Sequence, residues 1–258
     1  MTRKASCASV PQPPRWGEIG DDYVARASLG FSSVKGLVFD FDGVLIDTEA
    51  TALSAWQAEF AAHGVRFPAV LHRSLVGSPR SQEVLHAALT AGLPPGRPAP
   101  VLADWARRNA LLANGLGARE GVEELLRAAA ARGIALAVAS GASREWVIGH
   151  LERLGLLTCF DAVVTGEGRD SKPSPAVYLE ALRLCELRPQ DAVAFEDSAV
   201  GVAAAQAAGI YCIAISPSAS SGADLSSADA VRTSLVGIAD ELAHAELMDA
   251  SGPFPGSR

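Results

Sequence analysis

Val34-Lys35-Gly36-Leu37-Val38-Phe39-Asp40-Phe41-Asp42-Gly43 is the stretch that decides how this chain is read. The apolar run predicts a buried strand, and it ends on two carboxylates, two residues apart, that lead straight into a glycine. A charged carboxylate at the exit of a buried strand is costly unless it is paired, protonated or bound to a metal. The pair therefore points to a cation site or acid/base chemistry rather than to packing. Gly43 allows close backbone approach after Asp42, and Asp47-Thr48 fits a helix cap that closes the loop.

Working outward, strand-like runs at 34–40, 134–139, 161–165, 191–195 and 210–215 alternate with helical segments at 121–132, 143–154, 174–186 and 199–208. That alternation predicts βαβ units and an α/β fold on a mostly parallel sheet. Right-handed crossovers place the C-terminal ends of such strands on one edge, where open α/β sheets bind ligands. The interval 48–116 is too long for one crossover. It is helix-rich, holds Trp56 and Trp105, and is broken by Pro94-Pro95-Gly96-Arg97-Pro98, so it predicts a small α-helical cap domain inserted after the first strand. The expected division is a mobile N-terminal extension over 1–33, a core over 34–47 and 117–245, a cap over 48–116 and a tail over 246–258.

At 258 residues and 49% hydrophobic content the chain can bury a sizeable core. A formal charge of −7 and a pI near 5.3 exclude a general nucleic-acid binder. No apolar run is long enough for a membrane span, and the first thirty residues lack a secretory h-region, so the expectation is a cytoplasmic monomer with a small-molecule partner, no nucleic acid and no membrane. Cys7, Cys159, Cys185 and Cys212 have no CxxC spacing and read as small buried apolar residues. His63, His72, His86, His150 and His244 have no ligand spacing and read as surface or packing residues.

Lysine is scarce: only Lys4, Lys35 and Lys172 occur, so Lys172-Pro173 in a Gly- and Pro-rich loop is informative. Ser140 ends the run 134–139 on Gly141-Ala142, and Glu196-Asp197 ends the run 191–195. Together with Asp40 and Asp42 these outline a phosphate-handling site. Asp40 is the expected nucleophile and Asp42 the general acid/base. Ser140 with the Gly141 backbone would reach a phosphoryl oxygen, and Lys172 would offset the charge of Asp40 and of the transferring group. A hard cation, Mg2+, is needed among these carboxylates, with Asp197 and Glu196 completing its shell. A calcium EF-hand starting at Asp40 fails, because Leu45 and Thr51 stand where glycine and glutamate are required. No Walker A pattern occurs.

These residues resemble the four signature motifs of the haloacid dehalogenase-like (HAD) superfamily, in its β-phosphoglucomutase-like branch. The matching stretches are Asp-Phe-Asp-Gly-Val-Leu-Ile-Asp-Thr-Glu (40–49), Ser-Gly-Ala-Ser (140–143), Ser-Lys-Pro-Ser-Pro (171–175) and Phe-Glu-Asp-Ser-Ala-Val-Gly-Val (195–202), within about 34–240. The resemblance implies a Rossmann-like core with a helical cap, Mg2+ dependence, phosphoryl transfer through Asp40, and the Asp42 backbone carbonyl as a metal ligand. Dehalogenases of the family lack the second aspartate, and phosphonatases use a cap lysine that this chain does not have. Mutases carry a histidine where Ala52 stands, and a Gly-x-x-Arg that Gly77-Ser78-Pro79-Arg80 matches, so Arg80 is a candidate substrate-binding residue. The expected function is a phosphatase of a small phosphorylated metabolite, a sugar phosphate. The alternatives are a phosphosugar mutase and a non-catalytic binding protein on the same fold.

Overall fold

Period-two alternation in the strands builds two unlike faces on one sheet. The structure is a computed structural model that describes residues 34–71, 81–93, 100–216 and 224–250. Strands β1 (Gly36–Phe39), β2 (Ala135–Ala139), β3 (Ala162–Val164), β4 (Ala192–Glu196), β5 (Tyr211–Ile215) and β6 (Ala230–Arg232) pair in parallel in the order β3-β2-β1-β4-β5-β6. Between them run α1 (Glu49–Ala62), α2 (Ser81–Ala91), α3 (Val101–Ala113), α4 (Val122–Ala131), α5 (Arg144–Arg153), α6 (Ala176–Leu184), α7 (Ala199–Ala207) and α8 (Ile238–Ala250).

On one face Leu37, Phe39, Leu136, Val138, Val193, Phe195, Ile213 and Ile215 pack against α4, α5 and α8. The alternate positions Val38, Ala137, Ala139, Ala194, Cys212 and Ala214 form the other face, under α6 and α7. The first face is large and branched, the second small, so α6 and α7 sit on a nearly flat floor. Phe39 stacks on Phe195 with centroids 5.0 Å apart, tying β1 to β4 below the site. Truncating either ring to alanine would cost about 3–5 kcal/mol.

The chain runs from β1 outward to β2 and β3 on one side, then crosses back to place β4 on the other side of β1, so the strand order reverses at β1. The crevice at such a reversal is where open α/β sheets take ligands. Asp40 directly follows the C-terminal end of β1. The insertion has its own apolar cluster of Ala55, Trp56, Phe60, Leu85, Leu89, Val101 and Trp105, in which Trp56 and Trp105 stack at 5.2 Å. The fold is therefore a Rossmann-like parallel sheet with a helical cap inserted after the first strand.

The sequence reading missed β6. Three residues at the sheet edge, with only Ala230 buried, carry no usable alternation. The cysteine expectation holds for Cys212, which is buried; Cys185 is half-buried, and Cys159 is exposed at the end of the 3-10 turn Leu157–Cys159. The expected extension (1–33), with Cys7, and the end of the tail (251–258) lie outside the described residues. Among the described residues no helix is long and apolar enough to cross a membrane.

Candidate active site

Strand parity sets the site. Val38 and Ala194 belong to the small face, so Asp40 and Glu196, two residues on, project toward α6 and α7 as well. Lys172 arrives there on the loop before α6. Its Nζ donates to Asp40 Oδ1 at 2.8 Å and to Glu196 Oε1 at 2.6 Å. Tyr178, in the first turn of α6, donates its hydroxyl to the same Glu196 oxygen at 2.5 Å. Glu196 Oε2 accepts from the Asp197 N–H and the Ser198 hydroxyl. Glu196 is wholly buried, and α7 comes close to it only because residue 201 is glycine: a β-carbon there would lie 1.9 Å from Oε2. One oxygen each from Asp40, Glu196 and Asp197 lies within 4.8 Å of the others.

Three carboxylates share one ammonium, and the electrostatics reflect the deficit. Burial pushes Asp40 up to about 7, with Lys172 pulling down and Glu196 pushing up. Burial also raises Asp197 well above the usual carboxylate range, reinforced by Asp40 and Glu196. Lys172 is driven the other way by its own burial, but the attraction of Asp40 and Glu196 wins and its pKa is raised. A hard divalent cation fits this donor set, which is all-oxygen and net negative, with burial raising the carboxyls of Asp40 and Asp197.

Asp42 faces a different direction. Its Oδ1 accepts the Thr48 hydroxyl at 2.8 Å and the Trp146 indole N–H at 3.0 Å. The expected cap by Thr48 is corrected: it has helical φ/ψ of −86°/−12°, caps nothing with its side chain, and spends its hydroxyl on Asp42. Burial raises the Asp42 carboxyl, while Trp146 and Thr48 lower it.

A cavity of about 1030 Å3 opens above these groups. Its floor includes Asp40, Asp42, Asp197, Gly141, Ala142 and Ser143; its roof includes Ala52, Trp56, Gln82, Trp105, Asn109 and Asn114 from the cap. Ser140 sits behind the floor, buried, its Oγ accepting the Ala142 N–H at 3.1 Å. Gly43 meets Asp197, and Ser198 caps α7 by accepting the Gly201 N–H. The structure thus brings together Asp40, Asp42, Gly43, Ser140, Gly141, Lys172, Glu196 and Asp197. Arg80 lies outside the described residues.

Sequence reasoning missed Trp146, Tyr178 and Asn109. Trp146 and Tyr178 stand at the third position of helices that leave the ligand-binding edge, and that placement is the signal that could have found them.

Fold and site define an α/β enzyme with an acidic, cation-seeking centre at its strand ends. A sequence model of the haloacid dehalogenase-like hydrolases matches residues 34–209, and the chain belongs to that family, in its β-phosphoglucomutase-like branch. It is 32% identical to YhcW, a candidate phosphatase of Bacillus subtilis (strain 168), over 70% of this chain and 83% of that protein. It is 31% identical to the "Phosphorylated carbohydrates phosphatase" of Thermotoga maritima, over 69% of this chain and 82% of that one. A crystal structure of a candidate β-phosphoglucomutase from Thermotoga maritima superposes with a TM-score of 0.69 at 27% identity, covering 82% of this chain and 99% of the other. The chain is accordingly a phosphoric monoester hydrolase.

Proposed function

We propose that the chain is a Mg2+-dependent phosphatase that hydrolyses a small phosphorylated metabolite, a sugar phosphate, through an aspartyl-phosphate on Asp40. The observation that carries this reading is the Lys172 ammonium held between Asp40 and Glu196 at the end of β1, at 2.8 and 2.6 Å.

Asp40 attacks phosphorus as the bond from phosphorus to the alcohol oxygen breaks, and Asp42 gives that oxygen its proton. Asp42 then takes a proton from the water that attacks the phosphoryl group, which frees Asp40 and inorganic phosphate. Lys172, the Gly141 N–H and the Ser140 hydroxyl hold the phosphoryl oxygens and offset the charge that develops on them. Glu196, with its oxygens already taken, anchors Lys172 behind the cluster. Asp40, Asp197 and the Asp42 carbonyl would hold Mg2+, which when bound offsets the repulsion between a phosphoester and these carboxylates.

Residues 34–47 and 117–245 form the catalytic core in this reading, and 48–116 the cap that selects the substrate. The roof mixes stacked indoles with the amides of Gln82, Asn109 and Asn114, a combination suited to a hydroxylated carbon skeleton. The carbohydrate-phosphate activity in the name of the Thermotoga maritima relative supports the same class. Ala52 lines the cavity where a mutase of this branch has histidine, which favours hydrolysis over phosphoryl return.

A panel of phosphorylated metabolites, assayed with Mg2+ and with EDTA, tests the reading. Metal-dependent phosphate release that Asp40→Asn abolishes is expected; no release from any member with Mg2+ present would overturn it.

A further inference from the structure

Asp42 is gripped on one oxygen only. Both the Thr48 hydroxyl and the Trp146 indole donate to Oδ1, and among the described residues no group donates to Oδ2. The two donors come from separate parts of the fold. Thr48 opens α1, the first helix of the insertion, while Trp146 belongs to α5 on the core.

The indole is itself held. His150, one turn further along α5, sets its ring edge-on to Trp146 at 4.4 Å and 74°, and also lies near Phe41, between the two aspartates in sequence. The Arg153 guanidinium lies 3.2 Å from His150 Nδ1. A guanidinium can only donate, so Nδ1 is the acceptor and a neutral ring carries its proton on Nε2. Burial and Arg153 both lower the His150 pKa, which keeps the ring neutral. Arg153, His150 and Trp146 thus form a braced row that ends on Oδ1 of Asp42.

The geometry points to Trp146 as a positioning residue for proton transfer: its N–H, with the Thr48 hydroxyl, fixes Oδ1 of Asp42 so that Oδ2 carries the proton to the leaving oxygen. This rests on the phosphatase reading above. As the bond from phosphorus to the alcohol oxygen breaks and the bond to Asp40 forms, the Oδ2 proton passes to the departing alkoxide. When water attacks the phosphoryl group, the same oxygen takes a proton back.

Trp146→Phe keeps the ring against His150 and removes the N–H, so it isolates the role. The test is kcat/KM of the full chain on p-nitrophenyl phosphate, phenyl phosphate and glucose 6-phosphate. p-Nitrophenolate departs without a proton, whereas a sugar alkoxide needs one. The variant should therefore lose about tenfold or more on glucose 6-phosphate, with phenyl phosphate between, and stay near wild type on p-nitrophenyl phosphate. The loss should fall in kcat rather than KM. In an Asp42→Ala background Trp146→Phe should cost nothing further, a comparison that stands even if the single variant is partly destabilised. Equal losses on all three esters, or no loss on any, would overturn the positioning role and leave the phosphatase reading intact. A wild-type protein that releases phosphate from none of them, nor from any member of the metabolite panel with Mg2+ present, would remove both.

Discussion

Gly43 and Asp197 occupy space that no other residue type at position 43 could share. A β-carbon on Gly43 would lie 1.7 Å from Asp197 Oδ2, and Gly43 has φ of +80°, where L side chains are strained. Gly43→Ala must therefore push the Asp197 carboxylate away from Asp40. We expect activity to fall roughly 100-fold, in line with an ångström-scale misplacement, and stability by about 2 kcal/mol from the backbone alone. Steady-state kinetics and urea unfolding check the two parts separately. A Gly43→Ala protein with wild-type turnover would show that Asp197 is not needed where it stands.

Lys172 carries the buried balance of charge. With it gone, Glu196, at 0% exposure, and Asp40 face each other unpaired. Lys172→Met should destabilise the metal-free protein by ~3 kcal/mol or more. Adding Glu196→Gln should recover part of that loss without restoring activity. Urea unfolding in EDTA reads the first effect, and phosphate release the second.

The raised carboxyl of Asp40 gives the metal-free protein a pH signature. Its pKa is about 7 in the folded state against an ordinary 3.8, because burial outweighs Lys172. Below about pH 4 both states hold the proton, and this stabilising contribution is complete. Between about 4 and 7 only the folded state holds it, so the contribution falls by up to ~1.4 kcal/mol per pH unit and is lost above 7. In EDTA the stability difference between wild type and Asp40→Asn should therefore move against the wild type as pH rises from 5 to 8. Mg2+, which competes with protons for these oxygens, should raise the wild-type melting temperature more at pH 8 than at pH 5.

Asn109 holds an oxygen with no hydrogen-bond partner among the described residues, although only 8% of the residue is exposed. An orphan acceptor costs stability that an apolar residue of similar size does not. Asn109→Leu should stabilise the protein by about 1 kcal/mol in thermal or urea unfolding. A destabilised variant would mean that the amide is satisfied in solution.

The first strand and its two aspartates were legible because charge at the end of a buried apolar run is too costly to stand there without a partner. Ser140, Lys172 and Glu196-Asp197 followed from strand ends that share one edge, and the structure gathers them there. Trp146 and Tyr178 left only a positional signal, which residue type alone did not support. Each sits in the first turn of an ordinary-looking amphipathic helix, and only the three-dimensional approach of that turn to a strand end turns an apolar ring into a donor. Thr48 misled for a related reason. A threonine before a helix fits a cap in any local reading, and a partner six residues upstream takes its hydroxyl. The edge strand β6 was too short to leave a pattern, and the cap's amides follow no sequence rule that assigns them a ligand.

Because Trp56, Phe60, Leu85, Leu89, Val101 and Trp105 close on one another rather than on the sheet, the roof of the cavity draws its rigidity from within. Gln82, Asn109 and Asn114 are therefore free to drift by mutation while the chemistry below stays fixed. A lineage with this arrangement would acquire new substrates mostly by repainting its ceiling.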